Sequence, residues 1–184
     1  MAKLEDPELT APTDKMLVRA VIAGDKAAYG RLYDRYAPLV RAVCYDAVGN
    51  LADAQDLAQD VFMRAYDKLE HLREPELFGR WIIAIARLRC KEWRREKTRT
   101  QDKQDGLNET YAVSHEESND GQWEQLRSAI RRLPTIERLA LHTFYLQENS
   151  VDEARRILGL SRSGFYRVLE RARKQLAVLL SQER

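Results

Sequence analysis

Apolar residues return at helical spacing in several blocks of this chain, and a long polar stretch separates the first three blocks from the last ones. Residues 14–48 read as helical. Asp25, behind Gly24, is placed to cap "KAAYGRLYDRYAPLVRAVCYDAV", in which Tyr29, Leu32, Tyr33, Tyr36, Leu39, Val40, Val43 and Ala47 form an inward stripe. Pro38 predicts a kink or a split near the middle of this helix, and Gly49-Asn50 ends it. The next helix runs from Asp53, its expected cap, to about His71, with Leu57, Val61, Phe62, Ala65 and Leu69 inward. Its opposite face carries Asp53, Asp56, Asp60, Arg64 and Asp67, a solvated stripe or a docking face for a basic partner. After "REPEL", residues 78–99 begin as a core helix (Phe78, Trp81, Ile82, Ile85, Ala86) and then turn basic.

Residues 100–121 are polar and aperiodic, with six acids against Lys103, which predicts a flexible linker and a domain boundary. Residues 122–184 are helical again. Pro134 closes "WEQLRSAIRRL". Ser150, three residues before Glu153, makes a capping box for "VDEARRIL". Gly159 supplies a left-handed stop, Leu160 a buried turn residue, and Ser161 the cap of the last helix. That succession is a helix-turn-helix. In the last helix Phe165, Val168, Leu169, Ala172, Leu176 and Leu179 face inward, leaving Arg162, Ser163, Tyr166, Arg167, Glu170, Arg171 and Lys174 outward.

The fold class expected is therefore all-α: two small helical domains joined by a flexible linker. The divisions are a tail over 1–15, one domain over 16–99, the linker over 100–121, and the helix-turn-helix domain over 122–184.

Composition sharpens this picture in one respect. The net charge of +2 conceals an uneven distribution. Residues 46–70 carry six acids against two bases, residues 87–99 seven bases against two acids, and residues 155–184 eight bases against two acids. Two basic segments flanking an acidic one suit two contacts with a polyanion. In the first, Arg87, Arg89, Lys91, Arg94 and Arg95 surround Trp93, a mixture that fits phosphates and unstacked bases. In the second, Arg162 and Arg167 near the start of the last helix are placed to read guanines in a major groove, while Arg171, Arg173 and Lys174 suit phosphates. No apolar run is long enough to span a membrane, and the first residues do not form a signal peptide. Cys44 and Cys90 read as buried free thiols. The three histidines share no metal-ligand spacing with them. Phosphate-loop, nucleophile-elbow and zinc motifs are missing, so neither an enzyme nor a cofactor is expected.

Taken in order, "AAYGRLYDRYAPLVRAVCYDAVGNLADAQDLAQDVFMRAYDKL", "LFGRWIIAIARLRCKEWRRE" and "LRSAIRRLPTIERLALHTFYLQENSVDEARRILGLSRSGFYRVLERARKQL" resemble a bacterial group 4 (extracytoplasmic function, ECF) sigma factor over residues 16–182. The resemblance implies cytoplasmic location and binding to core RNA polymerase through the β′ clamp helices and the β flap. Asp53, Asp56, Asp60 and Arg64 would form the polymerase-docking face. Arg87, Arg89, Lys91, Trp93, Arg94 and Arg95 would engage the −10 element, with the 71–78 loop holding an extruded base. Arg162, Ser163, Tyr166, Arg167, Arg171 and Lys174 would read the −35 element. The linker would thread polymerase channels, and an anti-sigma factor would hold the protein in check. The chain departs from the family pattern at Leu88, usually asparagine, and at Arg155, usually a small alanine facing the partner helix. A stand-alone helix-turn-helix regulator and a sigma mimic that only titrates regulators are the rival readings.

Overall fold

The computed structural model describes residues 11–104, 121–147 and 150–182, and among these every regular element is a helix. Helices α1 (Asp14–Ile22), α2 (Lys26–Val48), α3 (Leu51–Asp67) and α4 (Phe78–Gln104) form one bundle. Two short 3-10 turns, Leu69–His71 and Pro75–Leu77, lead from α3 to α4. Helices α5 (Gly121–Arg132), α6 (Thr135–Leu146), α7 (Val151–Leu158) and α8 (Arg162–Gln182) follow. Residues 1–10 of the expected tail and 105–120 of the expected linker lie outside the described residues.

Local chemistry sets most of these boundaries. Gly24 takes φ 101°, a left-handed conformation that an L side chain resists, and breaks α1 from α2. Asp25 then accepts from the amides of Ala27 (2.9 Å) and Ala28 (3.3 Å), as its position predicts. Gly49, at φ 83°, ends α2.

Four expectations need correcting. Of the kink or split expected at Pro38, the split does not occur: α2 runs continuously through it, with Tyr36, Ala37, Leu39 and Val40 all buried around that turn, and packing outweighs the lost backbone bond. The cap of α3 is Asn50, not Asp53. The Asp53 amide donates to Asn50 Oδ1 at 2.8 Å, and its carboxylate accepts from Asn50 Nδ2 at 2.7 Å, so Asp53 sits inside the first turn. Helix α4 continues to Gln104, so the first residues assigned to the linker are helical. Tyr33, placed in the inward stripe, is exposed, with its ring against Phe62 at 4.6 Å between centroids.

Two apolar clusters result. The first joins Leu32, Tyr36, Leu39, Val61, Phe78 and Ile82 with their neighbours; the second joins Leu133, Leu141, Ala154, Phe165, Leu169 and Ala172. They are not separate bodies in this structure. Leu139 of α6 and Ile157 of α7 are buried in the first cluster. Tyr36 is central to that join. Its ring is fully buried, and its hydroxyl lies between the carboxylates of Asp14 and Glu153, the latter at 3.1 Å. Burial and then the Asp14 charge push the phenol well above its ordinary value, so it stays a neutral donor.

Gly79 is where α4 crosses this tyrosine. A Cβ there would stand 2.7 Å from the Tyr36 hydroxyl and 2.8 Å from Cε1. Because the hydroxyl is held by two carboxylates, the ring has little freedom to yield. Gly79→Ala is expected to destabilise by about 1–3 kcal/mol through overpacking. The check is urea denaturation with Gly30→Ala as control, since nothing lies within 4 Å of a Cβ at Gly30.

Candidate nucleic-acid interface

The helix-turn-helix is built by three local devices. Ser150 Oγ accepts from the Glu153 amide at 3.2 Å and starts α7. Gly159 ends α7 at φ 68°, with its amide on the carbonyl of Arg156. Ser161 Oγ then accepts from the Gly164 amide at 3.1 Å and starts α8. Leu160 is only partly buried, but it packs on the second cluster as a turn residue should. Ala154 is the fully buried small residue of α7. Arg155 turns outward to Asp152, with Nε 2.8 Å from its carboxylate.

On α8 every proposed reader of the −35 element is exposed: Arg162, Ser163, Tyr166, Arg167, Arg171 and Lys174. They are not equivalent. Arg171 is ion-paired to Glu137 of α6, a buried carboxylate, and Lys174 pairs with Glu170 at 2.8 Å. Arg173 lies over the rings of Phe144 (5.4 Å) and Tyr145 (5.7 Å). Arg162 and Arg167 make no ion pair with any described residue, which leaves their guanidinium forks available.

The N-terminal candidates divide in the same way. Asp60 and Arg64 of α3 do not stand free as a docking stripe; they form an ion cluster with Arg89 and Glu92 of α4. Arg64 bonds Asp60 (3.2 Å) and Glu92 (3.0 Å), while Arg89 bonds Asp60 and reaches Glu92 at 2.9 Å. The Arg89 side chain keeps 12% of its surface. Burial opposes its charge, yet the hydrogen bonds it donates to Asp60 and Glu92 prevail and raise its pKa. Arg89, grouped by sequence with the −10 contacts, is thus committed to holding α4 against α3. Asp53 is held by Asn50, and Asp56 is exposed.

The remaining basic residues of α4 do gather. Arg87, Lys91 and Arg94 line one side of a cavity of about 430 Å³, with the exposed Leu88 among them. Thr135, Arg138 and Leu139 of α6 form the facing wall. Arg95 is exposed on the neighbouring face, whereas Trp93 is partly buried against the first cluster with the Lys97 ammonium 4.8 Å from its ring. Sequence reasoning missed what closes this cavity. Asp46 of α2 accepts from Arg138 Nε at 3.0 Å and lies 3.0 Å from His142 Nε2, all three side chains being 10–15% exposed. Gln147 Nε2 adds a bond to the Arg35 carbonyl at 3.1 Å. The C-terminal helices therefore cover part of the basic face of α4. Among the described residues no cluster of His, Cys, Asp and Glu is suited to a metal, and no helix is long and apolar enough to cross a membrane.

The chain is similar to known proteins in a consistent way. The family "Sigma-70 region 2" matches residues 32–100. The ECF RNA polymerase sigma factor SigM of Bacillus subtilis is 30% identical over 132 residues, covering 68% of this chain and 78% of SigM. The ECF RNA polymerase sigma factor BldN of Streptomyces coelicolor is 30% identical over 171 residues, covering 89% of this chain; the chain spans 64% of BldN. Among solved structures, the sigma factor RpoE from Bartonella quintana, in complex with the anti-sigma factor NepR, shares the fold with a TM-score of 0.57 and 22% identity, over 85% of this chain and 98% of that one.

Proposed function

We propose, because the chain belongs to the extracytoplasmic function (ECF) sigma factors of the sigma-70 family, that it binds core RNA polymerase and directs transcription from a restricted set of promoters. The −10 element is engaged by Arg87, Lys91, Arg94 and Arg95 of α4, with Trp93 and with Arg89 as the anchor of that helix. The −35 element is read by Arg162, Ser163, Tyr166 and Arg167 of α8, with Arg171 and Lys174 on phosphates. An anti-sigma factor is the expected regulator, as in the RpoE–NepR complex, and the site of action is the cytoplasm. The protein supplies binding and orientation, and polymerase supplies the chemistry.

The observation that carries this reading is the presence of two separate basic helices in one chain, α4 and α8, each with unpaired cations on an exposed face. A stand-alone helix-turn-helix regulator has no use for the first. It also has no need of an N-terminal half matching sigma-70 region 2. The Asp46–Arg138 contact folds the two basic helices onto one body, so reading two separated promoter elements requires that contact to open.

Docking on polymerase is assigned to the exposed end of the α3 acidic face, and the ion cluster dictates the choice of test. Asp60→Arg would set a third cation beside Arg64 and Arg89 and damage the fold itself. Asp56 has no such role. Asp56→Arg is expected to weaken core polymerase binding about tenfold or more, with the melting temperature unchanged, in a fluorescence-anisotropy titration. Wild-type affinity in that variant would remove Asp56 from the docking face.

A further inference from the structure

Cys44 and Cys90, the chain's two cysteines, play no part in the proposed function, yet the fold brings them together. Cys44 lies on α2 and Cys90 on α4, both buried. Cys90 Sγ is 3.8 Å from the carbonyl oxygen of Val43, the residue preceding Cys44, which sets the α4 thiol at the turn of α2 that carries Cys44. They are not chemically alike. The hydrogen bond that Cys44 donates to Cys90, and then burial, push Cys44 far up, so it keeps its proton. The hydrogen bond from Cys44, and beyond it the Arg94 charge, draw Cys90 below the usual thiol value against its burial. As a thiol Cys90 can donate to the Val43 carbonyl; as a thiolate it can accept from Cys44.

Access distinguishes this pair from two inert core thiols. Cys90 lies in the wall of the 430 Å³ cavity, next to Lys91 and Arg94 and opposite Arg138. The cavity is large enough for a small neutral oxidant, and Arg94 favours the anionic form of the sulfur against Asp46, which lines the same wall. Cys44 is not among the cavity-lining residues and is reached through Cys90.

We propose that Cys44 and Cys90 form a reversible intramolecular disulfide, in which Cys90 meets a hydroperoxide from the cavity and Cys44 resolves the product. The Cys90 thiolate attacks the O–O bond, which breaks. Cys90 becomes a sulfenic acid, and the departing hydroxide or alkoxide takes up the proton that Cys90 lost. Cys44 sulfur then attacks the sulfenic sulfur; the S–S bond forms, the S–O bond breaks, and water leaves with the Cys44 proton. Two thiols are oxidised by two electrons in total, and the hydroperoxide is reduced to an alcohol, or water, plus one water. A thiol reductant reverses the change. The bond ties α2 to α4 beside Lys91 and Arg94, on the basic face assigned to the −10 element.

The test is hydrogen peroxide treatment of the folded, full-length protein, followed by denaturing alkylation, peptide mass mapping and a non-reducing gel. The expected result is a monomer in which both thiols resist alkylation, a linked Cys44–Cys90 peptide is recovered, and reductant restores both thiols. Cys44→Ala is expected to stop at a sulfenic acid on Cys90, trapped by dimedone, and Cys90→Ala to leave Cys44 reduced. The proposal is overturned if both thiols of the wild-type protein remain alkylatable, if the bond forms only between chains, or if Cys90 passes irreversibly to the sulfinic acid without a linked peptide. These wild-type outcomes decide the matter even if a variant fails to fold.

Discussion

Asp46→Arg is expected to separate the C-terminal helices from the N-terminal bundle, withdrawing Leu139 and Ile157 from the first apolar cluster while the rest of each cluster stays packed. The wild-type carboxylate serves Arg138 and His142 at 3.0 Å in a site where each side chain keeps at most 15% of its surface. Replacing it with a third nitrogen-bearing side chain leaves Arg138 nearly buried and facing a like charge. Breaking one partner of such a pair costs about 3 kcal/mol, roughly a hundredfold in the closed-to-open equilibrium. The protein escapes this cost by opening, because among the described residues what else joins α6 and α7 to the bundle is limited to Leu139, Ile157 and Leu158 on the first cluster and the Tyr36–Glu153 and Gln147–Arg35 hydrogen bonds. Small-angle scattering should record a larger radius of gyration than wild type, and the helical circular dichroism should be retained. Opening also uncovers Arg87, Lys91 and Arg94, so binding to a single-stranded −10 oligonucleotide should strengthen. An unchanged radius together with unchanged oligonucleotide affinity would show that the Asp46 contact does not hold the halves together.

The second large effect belongs to α8. Arg162→Ala with Arg167→Ala should lower discrimination between the cognate −35 duplex and a scrambled one. Each lost bidentate base contact is worth about 1–3 kcal/mol. Both guanidinium groups are exposed and neither makes an ion pair or hydrogen bond with a described residue, the Arg162 charge only adding to those that lower Asp152, so the fold should be unaffected. Arg171→Ala is the contrasting variant. Its partner Glu137 is buried, and its second carboxylate oxygen already lacks a hydrogen-bond partner, so removing Arg171 should cost stability as well as DNA affinity. Equal losses on cognate and scrambled duplex for the Arg162/Arg167 pair would mean phosphate contact rather than base reading.

The divergence between Arg162 and Arg171 shows where the sequence is legible and where it is not. Local devices could be read directly. The Ser150 cap, the Gly159 stop and the Ser161 cap depend on residues three or four apart and stand where the spacing placed them. The capping box, however, is half made: the Ser150 amide donates to the Gln147 carbonyl, and the Glu153 carboxylate is taken by Tyr36 and Arg156. The exposed face of α8 follows from the same periodicity. Asn50 displaced Asp53 as a cap because two neighbouring residues of similar capping strength competed, and the pair solved the competition by bonding each other.

What the sequence could not show was the destination of each charge. Asp60, Arg64, Arg89 and Glu92 lie on two polar faces that each read as solvated or functional; only the packing of α3 on α4 turns them toward one another. Asp46 and His142 are 96 residues apart, and nothing local to either marks the contact. Cys44 and Cys90 were legible as buried thiols but not as a pair, since helix periodicity assigns a face and not a neighbour across it. Leu88 remains exposed on the basic face of α4, where the family usually has asparagine. The structure gives it a place in the cavity wall and no partner that explains the change.

Sigma activity is tested most directly by promoter-dependent transcription by the full-length protein with sigma-free bacterial core RNA polymerase, after the two have been co-purified by gel filtration. The expected result is co-migration with core and discrete transcript starts from a fragment library, with starts lost in the Arg162→Ala/Arg167→Ala protein. Failure to co-migrate with core, alongside tight binding to duplex DNA by the protein alone, would contradict it and identify a stand-alone regulator instead.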